Sequence, residues 1–332
     1  MYRVLRSVFA LSAALAPVPL VATELRLDAA GETIFGEIQT VRTRSTDTLL
    51  DLARQYSLGY EELTRVNPHV DPWLPGEGTE VLLPLQRILP PGPRQGIVVN
   101  LAEHRLYYFV PEKNGPVRRV LTYPVSIGKM DWRTPLGSTR IVEKRVNPTW
   151  IPPPSVRKEH AARGEPLPAV VPPGPDNPLG AHAMRLGLPG GAYLIHGTNN
   201  PAAVGMPVTH GCIRMYPEDI AELFPLVPVG TPVTLLNEPI KLLFNRGEVW
   251  IEVHPPVDAE GKTTTPDPEA LAARLTALLG PRPAAVHWDA ALQALREARG
   301  IPTLIGLEVD TDPFGILQNN YNMPAAPGLW RW

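Results

Sequence analysis

The chain has 332 residues, of which 44% are hydrophobic and 19% are charged. This balance is typical of a globular protein and excludes the polar, highly charged composition of a disordered chain. With 31 basic and 33 acidic residues the formal charge is −2, which argues against nucleic acid or an anionic membrane surface as the main partner. The length allows two or three domains.

The first residues of the chain have the pattern of a secretory signal. Two arginines precede an apolar run, residues 8–22, that ends in small residues. The sequence therefore predicts a signal peptide over residues 1–22, with cleavage after Ala22 and no membrane span afterwards. An uncleaved anchor is the alternative, although two prolines interrupt the run and it is short for a span. An exported chain with a single cysteine, Cys212, forms no internal disulfide.

A compact unit is predicted over residues 37–86. Residues 37–41 alternate like a strand, the apolar spacing predicts helices over 46–56 and 60–66, and residues 80–83 form a closing strand. Ser45 or Thr46 is the expected N-cap of the first helix. The predicted order is therefore strand, helix, helix, strand.

This order resembles the LysM module, a domain that binds glycans containing N-acetylglucosamine. The matching residues are Asp47, Thr48, Leu49, Asn67, Pro68, Trp73, Pro75, Gly76 and residues 81–84. The resemblance implies glycan contacts by Asp47, Thr48, Asn67 and Trp73. Thr46 stands where the family usually has glycine. A small αβ domain without sugar binding is the alternative.

Residues 95–237 have mainly strand patterns. Strands are predicted over residues 97–101, 105–110, 117–127, 138–146, 181–186, 193–196 and 231–236, with one short helix opened by Pro217. Between two of these strands, residues 147–180 are rich in proline and contain one predicted helix, over residues 155–164. A loop this long inside a compact domain is usually functional or disordered. We expect an ordered lid over a site, with a mobile surface loop as the alternative.

Residues 209–214, Thr-His-Gly-Cys-Ile-Arg, contain the only cysteine of the chain. His210 lies two positions before Cys212 and Arg214 two positions after it, and a predicted strand ends on His196 upstream. A thiol attacks a carbonyl as the thiolate, and a nearby imidazole or cation depresses the pKa of the thiol. A cysteine, two candidate histidine bases and a cation therefore predict a site for acyl transfer.

This motif resembles the signature of the L,D-transpeptidase catalytic domain, the YkuD-type fold. The resemblance implies that Cys212 is the acylated nucleophile and His196 the base, and that the backbone carbonyl of Gly197 orients the imidazole. It also implies a mainly β catalytic domain, a YkuD-like β-sandwich with one short helix after the cysteine motif. Thr209 stands where many members have serine, and either residue supplies a hydroxyl.

The remaining motif residues have several possible roles. His210 is a supporting residue or an alternative base. Arg214 either contacts substrate and polarises the thiol or forms a surface ion pair. The backbone N–H groups of Gly211 and Cys212 are the expected oxyanion hole. No cysteine, histidine or carboxylate cluster has the spacing of metal ligands, so neither a metal nor a cofactor is expected.

A third piece is predicted over residues 238–309, a small α+β domain with a hairpin and helices over 268–279 and 288–299. It resembles the C-terminal extension of Gram-negative family members that carry a LysM module. Residues 310–332 read as a poorly ordered tail.

The resemblance implies a periplasmic peptidoglycan L,D-transpeptidase of the kind that carbapenems acylate. Cys212 would attack the diaminopimelate carbonyl of a tetrapeptide stem and release D-Ala, and an amine would then resolve the thioester. The implied partners are the glycan strands and stem peptides of peptidoglycan. The acceptor is left open between another diaminopimelate, which gives a 3→3 cross-link, a lysine of an outer-membrane lipoprotein, and a free D-amino acid. A hydrolase of the same fold and a non-catalytic wall-binding protein are the alternatives.

Overall fold

The computed structural model describes residues 23–27, 34–112, 115, 119–128, 134–190, 193–256 and 267–309. The predicted signal peptide and tail lie outside these residues. No helix among the described residues is both long and apolar enough to cross a membrane.

The N-terminal part is a small unit of two helices on a strand pair. It is preceded by β1 (Thr23–Arg26), which pairs with a strand of the central part. The elements of the unit are β2 (Ile34–Phe35), β3 (Ile38–Arg42), α1 (Leu49–Gln55), α2 (Tyr60–Val66), β4 (Glu80–Pro84) and β5 (Arg87–Ile88). β3 pairs antiparallel with β4, and both helices pack apolar side chains onto this pair. The order from β3 to β4 is the strand, helix, helix, strand order expected from the sequence.

The start of α1 differs from the prediction. Its N-cap is Thr48, whose hydroxyl accepts a hydrogen bond from the Asp51 backbone N–H at 3.1 Å, so the expectation of Ser45 or Thr46 was wrong. The reason lies in the preceding turn, where the carboxylate of Asp47 accepts from the backbone N–H of Arg44 at 2.8 Å. That bond closes a separate turn, so the helix begins after Thr48 rather than after Thr46.

The central part is built on a nine-stranded sheet. Its elements are β6 (Gly96–Asn100), β7 (Arg105–Val110), β8 (Arg119–Pro124), β9 (Ile127–Gly128), β10 (Gly137–Val146), α3 (Pro154–Ala162), β11 (His182–Leu186), β12 (Leu194–His196), β13 (Pro207–Thr209), β14 (Ile213–Arg214), α4 (Pro217–Leu226) and β15 (Pro232–Leu236). The strand order is β1-β8-β7-β6-β15-β10-β11-β12-β14.

Strand β10 joins the two halves of this sheet. Residues 137–140 of β10 pair with β15, and residues 141–146 pair with β11, with a register irregularity between Ile141 and Glu143. Side chains from both halves, such as Ile97 on β6 and Ile195 on β12, belong to one apolar core that α4 completes with Ile220. The central part is therefore β-rich, with its two half-sheets closed over a common core.

The C-terminal part has its own sheet and core. Its elements are β16 (Ile240–Asn245), β17 (Glu248–Val253), α5 (Pro268–Leu279), β18 (Ala284–Val286), α6 (Trp288–Glu297) and β19 (Thr303–Glu308). The strand order is β16-β17-β19-β18, and α5 and α6 supply apolar side chains to the core. The hairpin and both helices follow the sequence prediction. β18 was missed because it has only three residues, and β19 because its six residues lack a clear alternation of polar and apolar side chains.

Candidate active site

Two short strands bring the motif residues together. β12 and β14 pair in parallel, with Ile195 opposite Ile213 and His196 opposite Arg214. Successive side chains of a strand point to opposite faces of the sheet. Ile195 and Ile213 are fully buried in the core, so the neighbouring side chains, including His196 and Cys212, share the other face.

His196 is held with one ring nitrogen occupied. Its Nδ1 lies 2.6 Å from the carbonyl oxygen of Gly197. A carbonyl only accepts hydrogen bonds, so Nδ1 carries the proton and Nε2 is the basic nitrogen. Gly197 lies in a tight space, because a Cβ there would lie 3.1 Å from Cγ2 of Ile220, which would have to shift. The side chain of His196 is buried, with 4% exposure.

Burial also sets the protonation state of this histidine. Two causes lower the pKa of His196 to about 3, first desolvation and second the positive charge of Arg214. The hydrogen bond with the Gly197 carbonyl opposes them with a smaller effect. The imidazole is therefore neutral at physiological pH and available as a base.

Cys212, the single cysteine of the chain, forms no disulfide, and its side chain is partly exposed and lines the cavity. The sequence suggested that a nearby imidazole and cation depress its pKa. The structure gives the opposite sign, because burial raises the pKa of Cys212, and a hydrogen bond with the Leu194 backbone and the charge of Arg214 offset this only in part. The resting pair is thus a neutral thiol beside a neutral imidazole.

The turn before the cysteine is fixed by hydroxyl groups. Gly211 has a φ of +93°, a left-handed conformation that favours glycine. The Thr134 hydroxyl donates to the Gly211 carbonyl at 3.0 Å, and the Thr209 hydroxyl donates to the Cys212 carbonyl at 2.5 Å. The side chain of Thr209 is buried and serves the turn with its hydroxyl.

His210 has a partner that the sequence did not indicate. Its Nε2 lies 2.7 Å from a carboxylate oxygen of Glu159 on α3. Glu159 also pairs with Arg163 one turn further on. The proline-rich segment 147–180 is thereby tied to the cysteine motif.

A cavity of about 380 Å³ opens above Cys212 and His196. The segment 147–180 forms one wall of it with Pro148, Thr149, Trp150, Ile151, Pro153, Val156, Pro178 and Leu179. The wall is braced internally, since Trp150 and Val171 exchange backbone hydrogen bonds of 2.9 and 2.8 Å and the Asn177 amide donates to the Pro148 carbonyl at 2.8 Å. Backbone and side-chain hydrogen bonds therefore hold this wall of the cavity together, and its role as a lid stays a prediction.

The four glycan candidates lie in the N-terminal unit and not in this cavity. Asp47 and Thr48 are occupied in the turn and cap of α1. Asn67 is buried, its amide donating to the carbonyls of Leu63 and Leu82 at 2.9 Å each and its oxygen accepting from the Leu82 N–H at 2.8 Å. Trp73 alone of the four is strongly exposed, at 60%.

A buried cluster of possible metal ligands lies away from the cavity. Among the described residues, Glu103, Glu252 and His254 have ligand atoms within 4.8 Å of one another. The Lys241 ammonium is 2.6 Å from a Glu252 oxygen and also contacts Glu103. This cation already pairs with the two carboxylates, so the donor set fits an internal ion network rather than a metal.

Comparison with known proteins identifies the family. Residues 94–235 match the YkuD family, the L,D-transpeptidase catalytic domain. The probable L,D-transpeptidase YcfS of Escherichia coli (strain K12) is 41% identical over 300 residues, which are 89% of this chain and 91% of that protein. The chain belongs to the L,D-transpeptidase family. The probable L,D-transpeptidase YbiS of the same organism is 42% identical over 231 residues, 68% of this chain and 73% of that protein.

Solved structures are more distant from this L,D-transpeptidase. The alignment with the catalytic domain from the Enterococcus faecium L,D-transpeptidase covers 43% of this chain and 96% of that domain. The two are 21% identical, with a TM-score of 0.30. Membership of the L,D-transpeptidase family rests on the sequence relatives and confirms the resemblance drawn from the cysteine motif.

The sheet arranges the cavity floor of this L,D-transpeptidase in two rows across the strands. In one row Arg214, His196, Ala183 and Arg145 lie on β14, β12, β11 and β10. In the other row, two residues along each strand, lie Leu194, Arg185 and Glu143, together with Cys212 directly before β14. All eight residues line the cavity. The three charged residues at the far end, Glu143, Arg145 and Arg185, were missed because they become neighbours only through strand register.

Proposed function

We propose that this enzyme is a peptidoglycan L,D-transpeptidase in which Cys212 is the nucleophile and His196 the base. The observation that carries the proposal is the neutral imidazole, fixed by Gly197 with its Nε2 basic, on the strand next to the cysteine. The substrate class follows from the family to which the chain belongs.

In the first step Nε2 of His196 takes the thiol proton as Sγ of Cys212 attacks the diaminopimelate carbonyl of a tetrapeptide stem. The carbon–sulfur bond forms, the bond to D-Ala breaks, and the imidazolium gives its proton to the departing amine. Backbone N–H groups around Gly211 and Cys212 stabilise the oxyanion. In the second step an amine acceptor attacks the thioester, His196 takes its proton, and the thiol is regenerated.

The neutral resting pair suits this sequence of steps. Proton transfer from thiol to imidazole creates a thiolate and an imidazolium together, so charge appears only when the donor carbonyl is present to accept the nucleophile. The positive charge of Arg214 stabilises the thiolate, and for this reason it lowers the pKa of Cys212.

The N-terminal unit is proposed to act as a LysM module that keeps the enzyme on its polymer, with Trp73 as its exposed contact. Its strand, helix, helix, strand order and the exposed Trp73 support this role. The unit is joined firmly to the catalytic part, since Arg54 donates to both carboxylate oxygens of Glu218 at 2.7 and 2.9 Å. Residues 1–22 are proposed as the signal that directs the enzyme to the periplasm.

The test incubates the mature protein and its Cys212→Ala variant with a purified disaccharide-tetrapeptide and follows the products by mass spectrometry. A cross-linked dimer, or an amine-exchanged product, that disappears in the variant establishes transpeptidation. Separate reactions with a diaminopimelate peptide and with a lysine-terminated peptide identify the acceptor. Tripeptide alone in the presence of excess amine indicates a hydrolase, and no turnover leaves a wall-binding protein.

A further inference from the structure

The floor of the cavity ends in a charged group that the catalytic steps do not use. Arg145 donates from Nε to one carboxylate oxygen of Glu143 at 2.5 Å, and Arg185 donates from Nε to the other at 2.8 Å. The Nη groups of both arginines donate to no residue that the structure describes. Glu143 therefore fixes two guanidinium groups by their Nε atoms and leaves their terminal nitrogens open to the cavity.

This arrangement carries a net positive charge and has the donors that a carboxylate requires. A guanidinium binds a carboxylate through parallel N–H bonds, often two at once. As a stabilising feature the group is worth little, because Arg145 and Arg185 have side-chain exposures of 62% and 39% and exposed ion pairs contribute about 0 to 1 kcal/mol. Its position in the cavity suggests a ligand instead.

The position of the group relative to Cys212 defines what the ligand looks like. Neighbouring strands are about 4.8 Å apart, so Arg185, two strands from Cys212, lies about 10 Å away across the sheet. Between them lies the apolar side chain of Leu194, and Ala183 lies beside it in the other row. A ligand acylated at Cys212 that also reaches Arg185 must carry an apolar chain and then an anion.

We propose that Arg185 and Arg145, held by Glu143, form a subsite that binds a carboxylate of the acyl donor, six or seven bonds from the carbonyl attacked by Cys212. Six bonds extend about 7 Å, and the arginine side chains span the rest. The inference rests on the function proposed above and deepens it, because it makes this carboxylate a requirement for donor selection.

Two carboxylates of the stem peptide lie at this separation. One is at the distal end of the diaminopimelate side chain, whose methylene groups match the apolar step of Leu194 and Ala183. The other is the α-carboxylate of the preceding D-glutamyl residue. The carboxylate of the departing D-Ala is only three bonds from the carbonyl, which is too near to reach Arg185.

The experiment measures binding, so that it does not depend on turnover. Disaccharide-tetrapeptide is titrated calorimetrically into Cys212→Ala protein and into the same protein carrying Arg185→Gln. Two further donors are used, one amidated at the distal diaminopimelate carboxylate and one amidated at the D-glutamyl carboxylate. Arg140→Gln is the matched control, because Arg140 is exposed on the neighbouring strand β10 and does not line the cavity.

The expected result is a Kd for the acid donor that rises about tenfold to a hundredfold with Arg185→Gln, as for loss of hydrogen bonds to a charged group. Arg185→Lys should restore part of the affinity. For the donor amidated at the recognised carboxylate, Arg185→Gln should change the Kd less than about twofold, and the amidated donor that shows this identifies the carboxylate. The control should leave every Kd unchanged.

An equal loss for all three donors, an unchanged Kd for the acid donor, or no binding of any donor to the Cys212→Ala protein overturns the inference. Turnover of the tetrapeptide by the wild-type enzyme is measured in parallel. If the wild-type enzyme turns over the tetrapeptide and Arg185→Gln leaves the Kd unchanged, the subsite is refuted and the proposed function stands. If there is no turnover but Arg185→Gln raises the Kd, transpeptidation is refuted and the subsite stands.

Discussion

Substitution of Gly205 by alanine should loosen the joint between the N-terminal unit and the catalytic loop. A Cβ on Gly205 would lie 2.3 Å from the Cα of Gly59 and 2.5 Å from the backbone nitrogen of Tyr60, far inside normal contact. The two backbones must separate, and two hydrogen bonds are lost at once. These run from the Tyr60 N–H to the Val204 carbonyl and from His104 Nδ1 to the Gly205 carbonyl, each at 3.1 Å.

At about 1 kcal/mol for each hydrogen bond, the separation costs about 2 kcal/mol. The φ of Gly205 is +86°, so alanine adds conformational strain of about 1 to 2 kcal/mol. Gly230→Ala is the matched control, because Gly230 has a φ of +94° and no atom within 4 Å of the added Cβ. The control therefore reports the strain alone.

Scanning calorimetry should show a Tm lower by about 4 to 8 °C in Gly205→Ala than in Gly230→Ala, at about 2 to 4 °C per kcal/mol for a domain of this size. Hydrogen exchange at the Tyr60 amide should rise in the first variant alone. Equal Tm values for the two variants, with the Tyr60 amide still protected in both, would refute the idea that the backbones meet at this point.

Three further predictions concern the site and the two flanking units. The rate of Cys212 acylation in a single turnover should not fall between pH 7 and 5 through protonation of His196, because the pKa of His196 is about 3 and the base stays neutral there. A fall in this rate with its midpoint near pH 6.5 would contradict the prediction. Lys241→Met should lower the free energy of unfolding by about 3 to 5 kcal/mol, since it removes the cation from two buried carboxylates. Exposed Lys158→Met should change the free energy of unfolding by less than about 0.5 kcal/mol, and equal effects of the two substitutions would contradict the buried network. Trp73→Ala should weaken co-sedimentation with insoluble peptidoglycan about fivefold or more without a shift in Tm, and unchanged sedimentation would remove Trp73 from the proposed glycan contact.

The same pH argument has a stability side with a definite sign. The pKa of His196 is lower in the folded than in the unfolded protein, so between pH 6.5 and about 3 the unfolded state binds a proton that the folded state does not. His196 therefore contributes a loss of stability as the pH falls through this window, and His196→Gln should remove about one proton from the acid slope of the unfolding free energy.

Local patterns predicted the parts of the molecule that are specified by nearby residues. The spacing of apolar side chains located α1 and α2, and the cysteine motif located Cys212 beside the strand that ends on His196. The first residue of α1 was harder to predict, because the choice between Thr46 and Thr48 as N-cap depended on where the Asp47 carboxylate formed its hydrogen bond.

Contacts between distant segments could not be predicted in this way. Glu143 and Arg185 are 42 positions apart and meet only because β10 and β11 pair in one register. Glu159 reaches His210 only because the proline-rich segment folds back over the motif. A shift of one residue in the pairing of β10 with β11 would move Arg185 to the other face of the sheet, away from Glu143.

The sign of the cysteine pKa shows why charge alone was a poor guide to reactivity. A cation and an imidazole were present as expected, but the imidazole is neutral. Desolvation outweighed the charge of Arg214 and the hydrogen bond with the Leu194 backbone, so the pKa of Cys212 is raised and the thiol rests protonated. In the proposed periplasmic location, this protonated state affects how readily the single cysteine is oxidised. Oxidants attack the thiolate far more readily than the thiol, so burial that raises the pKa of Cys212 protects it between turnovers, while neutral His196 remains ready to remove the proton once a donor carbonyl occupies the cavity.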